Sequence, residues 1–311
     1  SGTTTLTAGT LSIGASINIG NGSATNGLVF NAGALQITGT ALTKMSDLTN
    51  GGTRPITYTA TKLITLDIAD AANTFTVDQA LNQTTGGFTK NGAGTVVLSQ
   101  ANTYTGATTI SAGKLYVNGT NDHTATTGAS TYSVTGTLGG NGTIITTADA
   151  VTVNSGGRLA PGTAAAPGTL TLNLGAAALN LAGAMGNNAG EFTFRLGSIS
   201  DQIVLGATSF LALGTASATN SSLDWSDFSF IPGPGLVDGV YVLIDASTNA
   251  TGGLSTGEGL LTGSIGGGTG VLSCDGQDLI LTVSGLVNPA DTNGDGLVDA
   301  TDYIALKTHI G

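Results

Sequence analysis

The chain has 311 residues, 9% of them charged against roughly 25% in ordinary soluble domains, and a formal net charge of −11. Eight Lys and Arg scattered singly along the sequence exclude a protein that tracks a nucleic-acid backbone, and the acidic balance disfavours anionic membranes. With Glu only at 191 and 258, amphipathic helices lack residues for their wet face, so the composition calls for strands.

The chain opens at Ser1-Gly2, a start that fits a mature product after signal removal or simply a cut in the chain. From there the sequence reads as short strands set between Gly and Asn turns. Thr10-Leu11-Ser12-Ile13-Gly14 is followed by Ser16-Ile17-Asn18-Ile19-Gly20, Gly27-Leu28-Val29-Phe30-Asn31 and Ala34-Leu35-Gln36-Ile37-Thr38. Apolar residues alternate with small polar ones over three to five positions, then a turn intervenes, which is the pattern of strands with one face buried. No apolar run approaches the ~18 residues of a membrane helix.

Internal repetition narrows the fold. Ala112-Gly113-Lys114-Leu115-Tyr116-Val117 echoes Ala32-Gly33-Ala34-Leu35-Gln36-Ile37, and Ser155-Gly156-Gly157-Arg158-Leu159 repeats the same turn-then-strand start. Degenerate copies of about 20–25 residues are expected of rungs that stack, each burying its apolar edge on the next. The expectation is an all-β chain folded as a right-handed parallel β-helix over at least residues 3–172, with helix confined to the tail. At ~22 residues and ~4.8 Å per rung, some 280 residues would make a rod about 60 Å long.

Gly87-Phe88-Thr89-Lys90-Asn91-Gly92-Ala93-Gly94-Thr95-Val96-Val97-Leu98 runs on through Asn102-Thr103-Tyr104-Thr105-Gly106 to Ala112-Gly113-Lys114-Leu115. This stretch resembles the autotransporter-associated β-strand repeat of bacterial exported β-helical proteins. Residues 136–172, marked by Leu159-Ala160-Pro161-Gly162 and Pro167-Gly168-Thr169-Leu170, resemble the module that often follows it. The resemblance implies a β-helix, export and a cell-surface or extracellular role, and it carries no catalytic residues. No membrane barrel follows the repeats, as a self-secreting autotransporter would need, so the expectation is another export route or a processed fragment.

From about residue 186 the texture changes: Phe192, Phe194, Phe210, Trp225, Phe228 and Phe230 gather there. They suit a wider core, an end cap or a small fused sandwich. The organisation expected is thus a solenoid over 1–185, an aromatic-richer β continuation or end domain over 186–284, and a tail over 285–311.

The tail carries the sharpest chemical motif. In Asp291-Thr292-Asn293-Gly294-Asp295-Gly296-Leu297-Val298-Asp299-Ala300-Thr301-Asp302, oxygen ligands fall at loop positions 1, 3, 5, 9 and 12, and Gly296 at position 6. That is the spacing Ca²⁺ demands. Asp291, Asn293, Asp295 and Asp302 are expected to hold one Ca²⁺ through side-chain oxygens, Leu297 through its carbonyl, and Asp299 directly or through water. Residues 303–310 read as a short helix, and loop plus helix resembles one half of a type I dockerin, of which a second half is not seen.

Other chemistry is weakly signalled. Asp224-Trp225-Ser226-Asp227 is the compact acidic and aromatic cluster outside that loop, but nothing marks its carboxylates as a glycosidase pair. His123 reads as a surface residue of a polar loop, His309 as part of the tail helix, and the lone Cys274 as an inert buried thiol. Two functions stay open: an extracellular structural subunit, assembling head-to-tail into filaments through its N-terminal strand and possessing an adhesive face, or a polysaccharide-binding or polysaccharide-cleaving β-helix displayed by its calcium tail. A cell-surface or matrix polysaccharide is the candidate ligand in both; nucleic acid is not a partner.

Overall fold

The computed structural model describes residues 3–14, 27–49, 55–82, 85–124, 130–163, 165–184, 191–215, 222–246, 250–254, 256, 259 and 261–286. Among these residues almost every element is a strand of three to seven residues, and the strands stack into a parallel β-solenoid. A typical rung turns through three strands, for example Thr108–Ile110, Lys114–Val117 and Thr120–Asp122. The next rung lays Tyr132–Val134, Thr137–Gly140 and Thr143–Ile145 on them in parallel register. The first face is a nine-stranded sheet from Thr10–Ile13 to Phe210–Ala212. The second has seven strands, from Thr74–Val77 to Phe228–Pro232. The third, with eight, runs from Thr120–Asp122 to Thr262–Ile265. A three-stranded sheet, Thr4–Leu6, Leu28–Phe30 and Ile56–Tyr58, stands at the N-terminal end.

Alternation along each strand decides what points inward. Ile64–Ile68 buries Ile64, Leu66 and Ile68 and half-exposes Thr65 and Asp67. Stacking then aligns equivalent residues into columns: Leu115 lies on Leu138, Leu138 on Leu159, Leu159 on Phe192 and Phe192 on Phe228. Each fully buried Leu or Phe contributes roughly 1.5–3 kcal/mol of transfer free energy. The aromatic residues from 192 onward extend these columns. Phe192 and Phe228 pack with centroids 5.3 Å apart, and Phe228 stacks on Phe230 at 5.7 Å.

Rung length is less regular than the sequence suggests. On the first face Tyr132 pairs with Val151 and Phe88 with Thr108, both short rungs. Ala34 pairs with Thr65 and Ala178 with Phe210, each across a rung longer by half or more. Part of the extra length between Ala34 and Thr65 is taken up by the 3₁₀ turn Met45–Thr49 and by the strand Ile56–Tyr58 of the N-terminal sheet. Nine strands at ~4.8 Å spacing span about 38 Å, and the third sheet continues for three further strands beyond Gly239–Asp245. Helix is not confined to the tail either. Single 3₁₀ turns form at Met45–Thr49 and Trp225–Asp227.

Parallel stacking gives way near the C-terminal side. Gly239–Asp245 still pairs in parallel with Gln202–Leu205, but its other edge meets Leu279–Ser284 in antiparallel fashion. Gly268–Cys274 and Thr262–Ile265 extend this as antiparallel neighbours. Gly266 and Gly267 form the two-residue turn between Thr262–Ile265 and Gly268–Cys274 with φ of +58° and +91°, a conformation glycine adopts without strain. Trp225 lies against this hairpin, where side chains on Gly263 or Gly270 would collide with its ring. Cys274 ends its strand half-buried, more open than a core thiol.

Several polar residues are buried in the core, Lys90 and His123 among them. Lys90 stands in an inward column between Leu66 and Ile110 and is fully buried. Its Nζ turns to the corner of the rung and donates to the carbonyls of Asn91 at 2.5 Å, Gly92 at 2.7 Å and Ala112 at 3.2 Å. Burial lowers its pKa to about 8, with Asp67 opposing. Gly113, with φ of +63°, leaves room for this arrangement, since a side chain there would strike the Gly92 and Gly94 carbonyls.

His123 is likewise buried, not on a surface loop. Its ring packs edge-on between Tyr104 and Tyr132, with centroids 4.6 and 5.5 Å away. Asn102 Nδ2 donates to Asn121 Oδ1 at 2.7 Å, and Asn121 Nδ2 donates to the Tyr132 hydroxyl at 3.0 Å. His123 Nε2 lies within hydrogen-bond distance of that hydroxyl, 2.8 Å away, and its Nδ1 is buried without a well-aligned partner. Burial pushes the His123 pKa down to about 4, while the Tyr104 backbone, Asp122 and Asp149 pull the other way.

Two outcomes follow from the core. Leu138→Ala should lower stability by about 2–5 kcal/mol in urea denaturation followed by circular dichroism, whereas Thr109→Ala on the outer surface should change it by under about 0.5 kcal/mol. His123 binds its proton in the unfolded chain near pH 6.5 but in the folded chain only near 4. Stability is therefore full above pH 6.5 and falls, by on the order of 3 kcal/mol, between pH 6.5 and 4. His123→Gln should flatten that part of the pH–stability curve.

Candidate functional site

The outer face of the second sheet holds the most distinctive surface among the described residues. In the strand Lys114–Val117, alternation sends Leu115 and Val117 inward and turns Lys114 and Tyr116 outward. Register continues both rows: Lys114 lies beside Thr137 and Thr137 beside Arg158, while Tyr116 lies beside Gly139 and Gly139 beside Ala160. Gly139 has no side chain to hold the Tyr116 ring away, and a Cβ there would run into that ring and the Ala160 carbonyl. Tyr116 therefore lies low on the sheet and leaves a groove of about 380 Å³, lined among others by Lys114, Tyr116, Arg158, Arg195, Asp201 and Ile231.

Arg195 is fixed in this groove. Its Nε donates to Asp201 Oδ2 at 2.9 Å and its Nη2 to Asp201 Oδ1 at 3.2 Å and the Pro161 carbonyl at 3.2 Å. Asp201 is fully buried and also accepts from the backbone N–H groups of Arg195 at 2.8 Å and Gly168 at 2.9 Å. A carboxylate with four donors holds its guanidinium partner in one place. Burial raises the Tyr116 pKa, with Arg195 opposing and Asp201 reinforcing the rise, so the phenol stays protonated as a donor at neutral pH. A second groove, of about 400 Å³, adjoins at the corner beside Gly113 and Gly136. Lys114, Thr137 and Arg158 line both grooves.

The sites read from the sequence fare differently. Asp224 and Asp227 do come together, as a helix cap. Asp224 Oδ1 accepts from the Ser226 N–H at 2.8 Å and the Ser226 hydroxyl at 2.6 Å, and Asp227 Oδ2 accepts from the Asp224 N–H at 3.0 Å. Both residues are buried, with exposures of 2% and 0%. This capping box holds the 3₁₀ turn that presents Trp225 to the terminal hairpin, and burial keeps a sugar chain from reaching between the two carboxylates. The calcium-loop residues Asp291, Asn293, Asp295, Leu297, Asp299 and Asp302, with His309, lie outside the described residues. Among the described residues no group of three or more His, Cys, Asp or Glu is placed to hold a metal ion, and no helix is long and apolar enough to cross a membrane.

Sequence reading missed the groove because its cations come from three different rungs. Lys114, Arg158 and Arg195 look isolated in the sequence and become neighbours only through register.

Comparison with known proteins places this geometry in context. The passenger-associated-transport-repeat family matches residues 88–117, in agreement with the repeat read from the sequence. That segment supplies the Lys90 corner and the strand carrying Lys114 and Tyr116. The chain is also 43% identical over 93 residues to the adhesin BmaC autotransporter of Brucella suis biovar 1 (strain 1330). The alignment covers 30% of this chain and 2% of that adhesin, so the likeness concerns a short stretch of a far longer protein. Residues 88–117 are thus similar to a passenger-associated transport repeat, built here as stacked rungs of a parallel β-solenoid.

Proposed function

We propose that this chain is an exported, non-catalytic β-solenoid that acts at a bacterial cell surface or outside the cell, with an adhesive role. The observation that carries the reading is the 43% identity to an adhesin over a stretch equal to 30% of this chain. The fold supports it physically. A parallel solenoid presents flat, rigid outer faces along its length, so contacts arrayed on one face act together. No catalytic carboxylate pair emerges from Asp224 and Asp227, whose oxygens cap a turn. Beads coated with the purified chain should adhere to immobilised extracellular matrix or host cells well above albumin-coated beads. Adhesion no greater than that of albumin would overturn the reading.

Self-assembly is the finer part of the proposal. The edges of Thr4–Leu6 and Thr10–Ile13 end their sheets and offer strand-edge groups for pairing. At the opposite side, Thr262–Ile265 is the edge strand of the third sheet. Addition of the N-terminal strand of one molecule to that edge of the next is a heterologous contact, which propagates into a filament. Light scattering should show concentration-dependent growth for the full chain and none after removal of residues 1–9. Persistent monomer for both would contradict it.

Calcium binding by the tail rests on ligand spacing alone: Asp291, Asn293, Asp295, Leu297, Asp299 and Asp302 occupy the positions a Ca²⁺ loop requires. Calorimetric titration with Ca²⁺ should give a one-site isotherm that disappears in the double variant Asp291→Ala, Asp295→Ala. An unchanged isotherm in the double variant would refute the assignment.

A further inference from the structure

We infer that the chain beyond Leu286, residues 287–311, docks back onto an exposed apolar corner formed by Ile199, Ile231, Leu236, Val237 and Val240. The inference rests on neither the adhesive nor the calcium reading. The first support is where exposed apolar side chains gather. Among the described residues the large ones are Leu63, Ile199, Ile231, Val237, Val240 and Val271. Four of these surround the corner where the second sheet passes into the third. Ile199 stands in that corner on one rung, between Phe192–Leu196 and Gln202–Leu205. Its neighbour Ser198 donates its N–H to the Pro234 carbonyl of the next rung at 3.0 Å. Val237 holds the corner of that next rung, with Ile231 before it and Val240 after it. Ile199, Val237 and Val240 are 72%, 61% and 62% exposed. An apolar cluster of this kind on a soluble surface marks a place that something covers.

The second support is where the chain goes. The last strand, Leu279–Ser284, runs antiparallel to Gly239–Asp245 and sets Val283 beside Gly239, which returns the chain to this same corner. Asp238 fastens it there, its carboxylate accepting from the N–H groups of Gly285 and Leu286, both at 2.9 Å. Leu286 and Leu236 meet at the Gly266 turn, where a Cβ would stand 3.1 and 3.0 Å from their side chains. Residues 287–311 therefore start against the patch. At roughly 3.4 Å per residue a few of them cross the two rungs of the corner. A segment tethered this closely acts at an effective concentration on the order of millimolar, which a second molecule in dilute solution does not match.

The third is the kind of contact the corner accepts. Pro232 and Pro234 carry no N–H, so a strand added here would find donors missing from the ladder. The occupant has to bind through side chains, as an amphipathic helix does. In the helix expected over residues 303–310, Tyr303, Leu306 and Ile310 recur at i, i+3 and i+7, the spacing of one apolar face. The corner itself is held in shape. The Val237 N–H donates to the Tyr241 hydroxyl at 3.0 Å, and that hydroxyl donates to the Val237 carbonyl at 2.8 Å. A fixed surface lowers the ordering cost of docking.

The test uses the full chain with Cys274→Ser and one introduced pair of cysteines, oxidised at low protein concentration and read by mass spectrometry. Val237→Cys with Leu306→Cys should form a disulfide at monomer mass. It should do so about tenfold faster than Leu63→Cys with Leu306→Cys, in which the first thiol replaces an exposed apolar residue away from the corner. Adding Val240→Asp should slow the first pair about fivefold by placing a charge on the apolar surface, with circular dichroism unchanged. Equal rates for the two pairs would overturn the proposal, as would indifference to Val240→Asp. A product at dimer mass in place of the monomer would also overturn it and would assign the corner to a second copy of the chain.

Discussion

A rung of a parallel solenoid has no core of its own. Its short strands cannot fold alone, and its apolar side chains are covered only when the rungs on either side are in place. Register between neighbouring strands is therefore the constraint from which the rest follows. It aligns Leu115, Leu138, Leu159, Phe192 and Phe228 into a continuous column. A slip of one residue would turn that column outward and bring Lys114 and Tyr116 inside.

The same constraint explains why buried polar groups survive here. Every corner where a strand ends leaves carbonyls pointing away from the ladder, and an unsatisfied buried carbonyl costs about 1–3 kcal/mol. Lys90 answers this from within the column by donating to three corner carbonyls on two successive rungs. Asn102, Asn121, Tyr132 and His123 form a comparable chain of bonds across neighbouring rungs. Both devices lock one register against its alternatives, as buried polar groups do where misalignment would leave them without partners. On the outer face register has the opposite use, gathering cations that the sequence holds far apart at 114 and 158.

Much of the fold was legible because alternation and turn residues are local signals. Ile64, Leu66 and Ile68 announce their own strand, and the repeat at 88–117 announces its stacking partner. What the sequence left unread has physical causes. Lys90 sits at an inward position by simple alternation from Phe88, but its charge argues for the surface, and only the carbonyls of a neighbouring rung resolve the conflict. His123 comes two residues after Asn121, just past the end of a strand so polar that it reads as a loop. Asp224 and Asp227 carry the spacing of a capping box, legible as such once a carboxylate three residues on is allowed to serve as the second cap. The groove was not legible at all: rungs of uneven length, short from Tyr132 to Val151 and long from Ala178 to Phe210, hide which side chains become neighbours.

The stacking register on which everything else depends can be measured as a distance. Thr65 lies beside Thr89, Thr89 beside Thr109, Thr109 beside Ser133 and Ser133 beside Thr152. Thr65 and Thr152 are remote in sequence, yet only four strand spacings, about 19 Å, separate them in the stack. Spin labels at these two outward positions, with Cys274 replaced by Ser, should give a single narrow distance of about 20 Å by electron–electron resonance. A broad distribution, or a distance far beyond four strand spacings, would contradict a continuous parallel stack.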